Sequence, residues 1–353
     1  FDQCSDEHRQ SFVNAVRVSD LFSVLVEVTW GLGGFLLYFI GIKIVGADRI
    51  GVGTFLAFSS YLGMFWNPIR NLASFYNKIV TNISAAERIF DILDTPSEIT
   101  DQEGAQPLPQ IRGAVEFSHV SFAYTDEPDR LVLSDVSFQV QPGETIALVG
   151  PTGAGKTTIV NLISRFYDVT AGQILIDGHS ISDVTLKSLR SQMGVMTQDT
   201  FLFTGTVREN ICYGRGKATE EEMIAAAKAV NAHNFIMKME KGYDTQISEH
   251  SSQLSIGQRQ LLAFARTILS DPRILILDEA TSSIDTHTER MVQEGIEAMI
   301  KGRTSFIIAH RLSTIRNADR IFYIDHQGIV EMGSHAELMK KQGAYYRLYR
   351  SQY

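Results

Sequence analysis

Residues 148–163 read LVGPTGAGKTTIVNLI, an apolar run followed by a glycine-rich turn, a lysine, two threonines and a second apolar run. The stretch from Gly150 to Thr157 fits the pattern G-x-x-x-x-G-K-[ST], between a predicted strand and a predicted helix. Glycines let backbone N–H groups curl around an anion, the helix N-terminus adds partial positive charge, and Lys156 adds a full one. The stretch therefore predicts a phosphate-binding loop whose Thr157 hydroxyl is offered to magnesium.

Two carboxylates follow another apolar run, in ILILDEATSSID at residues 274–285. Ligands of open α/β sheets bind at the carboxyl ends of strands, which is where Asp278 and Glu279 are expected. We predict that Asp278 helps to hold magnesium and that Glu279 orients or deprotonates the attacking water. A solvated strand end is the alternative interpretation, but the pairing with a phosphate loop favours a nucleotidase.

Composition narrows the class of protein. The chain of 353 residues has a formal net charge of −8, and it contains no dense block of lysine and arginine, which argues against a nucleic-acid binder. Cys4 and Cys212 are far apart and outside any metal-ligand spacing, so we expect neither a disulfide framework nor a zinc site. The first residue is Phe1 and no leader sequence follows, so we interpret the chain as the C-terminal part of a longer polypeptide.

Residues 113–353 have the pattern of an α/β domain, because short β-rich runs alternate with helical stretches. The runs TIALV and RILIL have no polar face, which predicts a sheet covered on both sides. Helices are predicted at residues 156–166, 220–229, 256–270 and 286–300.

The N-terminal part of the chain is more apolar than the α/β domain. Residues 24–45 carry only Glu27 and Lys43 as charges and are long enough, as a helix, to cross a hydrocarbon core of about 30 Å. A second apolar run starts at Thr54, and beyond Pro68 a 3-4-3-4 spacing predicts a long helix that continues into the cytosol. A buried soluble hairpin is the alternative. We predict a membrane domain over residues 1–95, with spans at about 21–45 and 54–75, and a linker at 96–112.

Within LSIGQRQLLAFARTIL, residues 254–258 resemble the LSGGQ signature of ABC ATPases, with Ile256 at the variable position. Further landmarks of that family are matched in order by Tyr124, Gln198, Asp285 and His310. Residues 51–72, GVGTFLAFSSYLGMFWNPIRNL, resemble more loosely the end of an ABC exporter membrane domain. The resemblance implies an α/β P-loop NTPase domain of the ABC ATPase class, preceded by all-α transmembrane helices.

The resemblance also implies ATP and Mg2+ as cofactors, together with named site residues. The implied catalytic residues are Glu279, His310 and Gln198. The implied nucleotide-binding residues are Tyr124, Gly150, Pro151, Thr152, Gly153, Ala154, Gly155, Lys156, Thr157, Thr158, Asp278, Ser255, Gly257, Gln258 and Asp285. The implied metal-binding residues are Thr157, Gln198 and Asp278. Three of these assignments have an alternative. For Tyr124 it is an ordinary strand aromatic, for Gln198 an amide that caps a turn, and for His310 a histidine at a strand end.

In such families two nucleotide domains sit head to tail, and the signature of one faces the ATP of the other. We therefore expect an ATP-hydrolysing exporter half in a bacterial inner membrane, with its nucleotide-binding domain in the cytoplasm. The expected partners are a second exporter half, membrane lipid, and a transported small molecule, lipid or peptide, with no nucleic acid. Ser248 and Ser251 replace glycines usual before the signature. The replacement has two interpretations, ordinary variation within the family, which we favour, and a low-turnover half of a heterodimer. Two more classes of protein stay open, a soluble ABC ATPase and a regulatory member that only binds ATP.

Overall fold

The structure, a computed structural model, describes residues 24–46, 51–197, 201–248, 254–278, 286–309 and 311–352. Contacts between Cα atoms divide the chain into two units, Phe1–Pro96 and Ser97–Tyr353.

The first unit consists, in its described part, of two long helices. Helix α1 spans residues 24–39 and continues as a π-helical segment, Ile40–Gly46. Helix α2 spans Val52–Asp94 and contains Pro68. Its 43 residues give a length of about 64 Å at the usual rise per residue. The helix ends where the sequence predicts, because Pro96 disfavours helical geometry at the preceding residue, whose ψ is 113°.

Helices α1 and α2 meet through aromatic and small side chains. The rings of Tyr38 and Phe55 stack with centroids 5.6 Å apart. A Cβ on Gly41 would lie 2.3 Å from the Phe55 ring, so the close approach depends on glycine.

The hydroxyls of Thr29 and Ser60 donate to carbonyl oxygens four residues earlier, at 2.7 and 2.9 Å. These polar groups are therefore satisfied within their own helices.

Val24–Gly46 is, within the described residues, the helical stretch that is long and apolar enough to cross a membrane, with a mean hydropathy of 1.7. Only 6% of its apolar window is buried inside the protein. The second predicted span, residues 54–75, lies within α2, whose Ser59, Ser60 and Asn67 lower the hydropathy. That span stays a prediction.

The second unit contains twelve strands, ten α-helices and one 3-10 helix, Gly242–Asp244, in its described part. The strands are β1 Val115–Ala123, β2 Leu131–Val140, β3 Thr145–Val149, β4 Ala171–Ile176, β5 His179–Ser180, β6 Met193–Met196, β7 Gly205–Thr206, β8 Gln246–Ile247, β9 Ile274–Asp278, β10 Thr304–Ile308, β11 Arg320–Asp325 and β12 Gly328–Gly333. The helices are α3 Lys156–Ile163, α4 Leu186–Arg190, α5 Val207–Cys212, α6 Glu220–Ala229, α7 His233–Ile236, α8 Ile256–Ser270, α9 Thr286–Ile300, α10 Leu312–Asn317, α11 His335–Lys341 and α12 Ala344–Gln352.

The strands form two main sheets. The six-stranded sheet has the order β12-β11-β3-β10-β9-β6, in which β12 is antiparallel to β11 and the remaining neighbours are parallel. The four-stranded sheet is antiparallel, with the order β2-β1-β4-β5. A short pair, β7-β8, stands apart. The α/β class predicted from the alternating pattern is confirmed.

Alternate residues of the parallel strands enter two different cores. In β3, Ala147 and Val149 belong to the core that contains the apolar faces of α5, α6 and α8, whereas Ile146 and Leu148 belong to the core beneath the antiparallel sheet and α3. Strand side chains alternate between the two faces of a sheet, so a strand that serves two cores has no polar face. The prediction of a sheet covered on both sides is therefore confirmed.

Helix α3 ends at Ile163, three residues before the predicted end. Arg165 takes a left-handed φ of 50° and is 1% exposed. Its guanidinium binds the Asp168 carboxylate at 2.8 Å and the carbonyl oxygens of Ile181 and Val184 at 3.1 and 3.2 Å. The buried arginine therefore ends the helix through contacts distant in sequence, which helical periodicity cannot predict.

Residues 97–112, which include most of the predicted linker, belong to the second unit and are hydrogen-bonded to the rest of it. The N–H of Ile111 donates to the Gln192 side-chain oxygen at 2.9 Å. The Asp101 carboxylate accepts the N–H of Leu186, at the start of α4, at 2.7 Å. The domain boundaries drawn from the sequence stay predictions.

Candidate nucleotide site

The loop between β3 and α3 is shaped by glycines. Gly150, Gly153 and Gly155 have φ values of 148°, 80° and 100°. A Cβ on Gly150 would lie 2.1 Å from the carbonyl oxygen of Ile324 in β11, so no side chain fits there without movement. The backbone thus makes the tight turn that the motif predicts, directly before the first turn of α3.

Lys156 opens α3 and turns back over the loop. Its ammonium donates to the carbonyl oxygens of Gly150 at 2.9 Å and Pro151 at 2.8 Å. Burial lowers the pKa of Lys156, and the negative charge of Asp278 opposes this shift. The strand register places Asp278 at the edge of the sheet where this loop lies.

Tyr124 follows β1 and is fixed from two sides. Its hydroxyl lies 3.0 Å from Oγ1 of Thr158, a buried residue of α3. Its ring meets the rings of Phe122 and Tyr167 edge to face, with centroids 4.9 and 5.2 Å away. The predicted stacking residue is therefore held in a defined orientation next to the phosphate loop.

One cavity of about 560 Å³ joins Tyr124 to the glycine-rich loop. The predicted site residues that line it are Tyr124, Pro151, Thr152, Gly153, Ala154, Gly155, Thr157 and Thr158. A larger cavity, of about 690 Å³, is lined by β1 and β2 residues with Glu144 and Arg320, and includes no predicted site residue. The smaller cavity is the candidate nucleotide site, because the predicted phosphate loop forms part of its wall.

Sequence reasoning missed part of this cavity wall. The additional lining residues are Glu127, Arg130, Leu131, Val132, Asp325, His326 and Gln327. Asp325 ends β11, and His326 and Gln327, with φ values of 49° and 66°, form the turn between β11 and β12. This turn lies next to the phosphate loop because β11 is the neighbour of β3 in the sheet. No local sequence motif indicates the turn as part of the site.

The carboxyl ends of the parallel strands meet at one edge of the sheet. In register, Ile308 of β10 pairs with Leu148 of β3 and with Asp278 of β9, and Leu277 pairs with Met196 of β6. Asp278 is therefore on the same edge as the phosphate loop, as predicted for a ligand site. The predicted residues Gln198, Glu279, Asp285 and His310 lie outside the described residues, so their roles stay predictions.

The signature stretch opens α8. Ser255 is its N-cap: the Ser255 hydroxyl accepts the N–H of Gln258 at 3.2 Å, and the Gln258 side chain accepts the N–H of Ser255 at 3.0 Å. This capping box satisfies two otherwise unpaired donors of the helix end. Gly257 is buried in the first turn, whereas Ser255 is exposed. None of these three residues lines the described cavity beside the phosphate loop.

Comparison with known proteins identifies this arrangement. Residues 133–282 match the ABC transporter family. The chain is 47% identical, over 97% of its length, to the ATP-dependent lipid A-core flippase of Syntrophus aciditrophicus. It is 44% identical, over 99% of its length, to the fatty acid ABC transporter ATP-binding/permease protein of Mycobacterium bovis.

The chain spans 56% and 55% of the lengths of these two relatives. A solved structure of a bacterial Atm1-family ABC exporter with ATP bound is also similar, with a TM-score of 0.71, 37% identity, and coverage of 95% of this chain and 57% of that one. The resemblance drawn from the signature is thereby confirmed. The chain contains an ABC transporter domain that follows helices resembling an exporter transmembrane domain, and its relatives are ABC exporter ATP-binding/permease proteins.

Proposed function

We propose that this chain is the ATP-binding and ATP-hydrolysing half of an ABC exporter. The observation that carries the proposal is the cavity that joins Tyr124 to the phosphate loop. Its wall suits a nucleoside triphosphate, because it has an aromatic ring that stacks on the base and loop amides that bind the phosphates. Lys156 does not line the cavity, but its ammonium lies on the loop carbonyls and adds a positive charge for the phosphates.

Mg2+ fits the oxygen donors that the described residues offer. Thr157 lines the cavity at the first turn of α3, and Asp278 ends β9 close enough to influence Lys156. One carboxylate and one hydroxyl, completed by phosphate oxygens and water, make a donor set that magnesium prefers. Bound magnesium would neutralise charge on the phosphates.

Hydrolysis is assigned to residues at the carboxyl edge of the sheet. Glu279 orients or deprotonates the attacking water, His310 contacts the γ-phosphate or that water, and Gln198 senses the γ-phosphate. The parallel ends of β6, β9 and β10 support this assignment, because these strands lead to the three residues.

The signature residues act on a second domain. The first turn of α8 presents an exposed Ser255 beside Gly257 and a helix dipole that attracts anions. Ser255, Gly257, Gln258 and Asp285 therefore face the ATP held by the partner half. Two ATP molecules join two such domains head to tail, and their hydrolysis releases the pair.

Export takes place across a bacterial inner membrane, with the nucleotide-binding domain in the cytoplasm. The apolar helix Val24–Gly46 and the exposed apolar side chains of α2 support membrane residence. The transported compound is a lipid or another amphiphile, since the named relatives are a lipid A-core flippase and a fatty acid transporter.

The test uses the full chain in lipid nanodiscs. We expect phosphate release from ATP, and pairing of chains when the Glu279→Gln variant binds ATP. Absence of both, with ATP still bound, would favour a regulatory member. Turnover that appears only after addition of a different exporter half would favour the alternative in which this chain is one half of a heterodimer.

A further inference from the structure

Arg266, on the buried side of α8, fastens that helix to a distant segment. Its Nε donates to the Asn210 carbonyl oxygen at 2.9 Å, and one terminal nitrogen donates to the Asn210 side-chain oxygen at 3.0 Å. The other terminal nitrogen donates to the carbonyl oxygen of Phe201 at 3.1 Å. All three nitrogens of the planar guanidinium therefore donate hydrogen bonds, and the single ammonium group of a lysine cannot reproduce this arrangement.

Two aromatic rings cover the same guanidinium. Its central carbon lies 5.4 Å from the ring centroid of Phe203 and 5.8 Å from that of Tyr213. The Phe203 ring also contacts Tyr213, at 4.3 Å between centroids, and Phe201, at 5.0 Å. Cation–π contacts of this kind hold a guanidinium in one plane.

Asn210 extends the attachment along residues 201–206. It is 1% exposed, and its side chain accepts the N–H of Phe203 and donates to the carbonyl oxygens of Phe203 and Thr206, at 2.8, 2.8 and 3.1 Å. Segment 201–206 and α5 therefore form one hydrogen-bonded piece, and Arg266 connects that piece to α8.

We infer that Arg266 is a positioning residue that makes the segment following Gln198 and the signature turn of α8 move together. Segment 201–206 begins three residues after Gln198, the proposed γ-phosphate sensor. Helix α8 runs without interruption from Ile256 to Ser270, so a displacement at Arg266 reaches Ser255. The inference rests on the proposed function, in which Ser255 binds the ATP of the partner half.

Arg303, which follows α9, provides a matched control because it binds residues just after the C-terminal end of α8 and does not contact segment 201–206. Its Nε donates to the Pro272 carbonyl oxygen at 3.0 Å, and its terminal nitrogens donate to Met299 O and the Asp271 carboxylate, both at 2.9 Å. It therefore makes as many hydrogen bonds from a partly buried guanidinium, but to residues after α8 and at the end of α9. A general loss of packing would affect both arginines alike.

The experiment compares Arg266→Lys and Arg303→Lys in the full chain in lipid nanodiscs. We expect ATP affinity within about twofold of the parent in both variants, and kcat about tenfold lower in Arg266→Lys alone, which corresponds to about 1.4 kcal/mol. In hydrogen exchange, ATP should protect both residues 201–206 and the first turn of α8 in the parent and the control. In Arg266→Lys the two regions should respond independently.

Equal kcat and equal coupled protection in the two lysine variants would overturn the inference. If Arg266→Lys does not fold, Tyr213→Leu removes one cation–π partner from a side chain that is 67% exposed. That variant should lower kcat several-fold without lowering the melting temperature, and an unchanged kcat and exchange pattern would equally contradict the inference. The exchange measurement requires bound ATP but no turnover, so a parent without ATPase activity would refute the proposed function and still test this inference.

Discussion

The hydroxyl of Tyr124 lies 3.0 Å from Oγ1 of Thr158, which joins the aromatic end of the nucleotide cavity to the helix that carries the phosphate loop. The ring that we propose stacks on the base and the turn that we propose binds the phosphates are therefore held at a fixed separation. Nucleotide affinity then depends on the ring itself and, to a smaller degree, on its hydroxyl.

Replacement of Tyr124 by alanine should weaken ATP binding by about tenfold or more, because stacking of an aromatic side chain on a base contributes about 1–3 kcal/mol. Tyr124→Phe keeps the ring and loses only the hydrogen bond, so its affinity should stay within a fewfold of the parent. Fluorescent-nucleotide titration measures both. Equal affinities for the alanine variant and the parent would show that the ring does not contact the base.

Replacement of Lys156 by alanine should abolish tight ATP binding, since it removes the full positive charge next to the loop carbonyls of Gly150 and Pro151. Glu279→Gln should bind ATP as the parent does and barely turn over, because it removes only the group that acts on water. Equilibrium binding and phosphate release, measured on the same preparations, separate the two roles. Parent-like turnover by Glu279→Gln would contradict the catalytic assignment.

Replacement of Gly150 by alanine should destabilise the second unit by about 2 kcal/mol or more, since the added Cβ overlaps the backbone of β11. Gly153→Ala is the control: its φ of 80° is strained for alanine, but nothing lies within 4 Å of the new Cβ. We expect it to cost about 1 kcal/mol. Urea denaturation gives the difference, and equal midpoints would argue against the close contact with Ile324.

Stability should decrease as the pH falls below 6.5 through the protonation of His335. Its Nδ1 lies 2.8 Å from the hydroxyl of Tyr345, a buried residue of α12. Burial, together with the charge of Arg316, lowers the pKa of His335 from its ordinary value of 6.5. The unfolded chain therefore takes up this proton first, so the stabilising contribution is complete above pH 6.5 and is lost as the pH falls through the lowered folded-state pKa.

His335→Gln keeps a polar side chain that does not titrate, so its unfolding free energy should change less between pH 6.5 and 5. His326→Gln, at a side chain that is 87% exposed, serves as the control and should retain the pH dependence of the parent. Urea denaturation at a series of pH values measures the slopes. Identical slopes for His335→Gln and the parent would exclude His335 as the titrating group.

Much of the second unit could be predicted because its decisive signals are local. The phosphate loop, the apolar strands β3 and β9 and the signature helix α8 each carry their pattern within fewer than about twenty consecutive residues, the length over which helical or strand periodicity is readable. Strands β5, β7 and β8 have two residues each and show no periodicity, so the sequence does not predict them.

The cavity wall was less predictable for a different reason. Tyr124 and the loop carry motifs, whereas His326 and Gln327 reach the cavity only because β11 is the neighbour of β3. Similarly, Arg266 lies in the signature helix, but its partners Phe201 and Asn210 are 65 and 56 residues away in sequence. Strand order and long-range hydrogen bonds follow from tertiary packing, which periodicity does not contain.

Within the described part of the chain, four helices begin with a reciprocal cap between a hydroxyl side chain and the residue three positions later. In α5, α6 and α11 that later residue is Glu209, Glu222 or Glu337, whose carboxylate neutralises the positive end of its helix. In α8 it is Gln258, an amide of nearly the same shape. The signature helix thus keeps the capping hydrogen bonds, and the positive end of its dipole is not neutralised by a carboxylate. The substitution Gln258→Glu exchanges one nitrogen for one oxygen and would turn an anion-attracting helix end into an anion-repelling one.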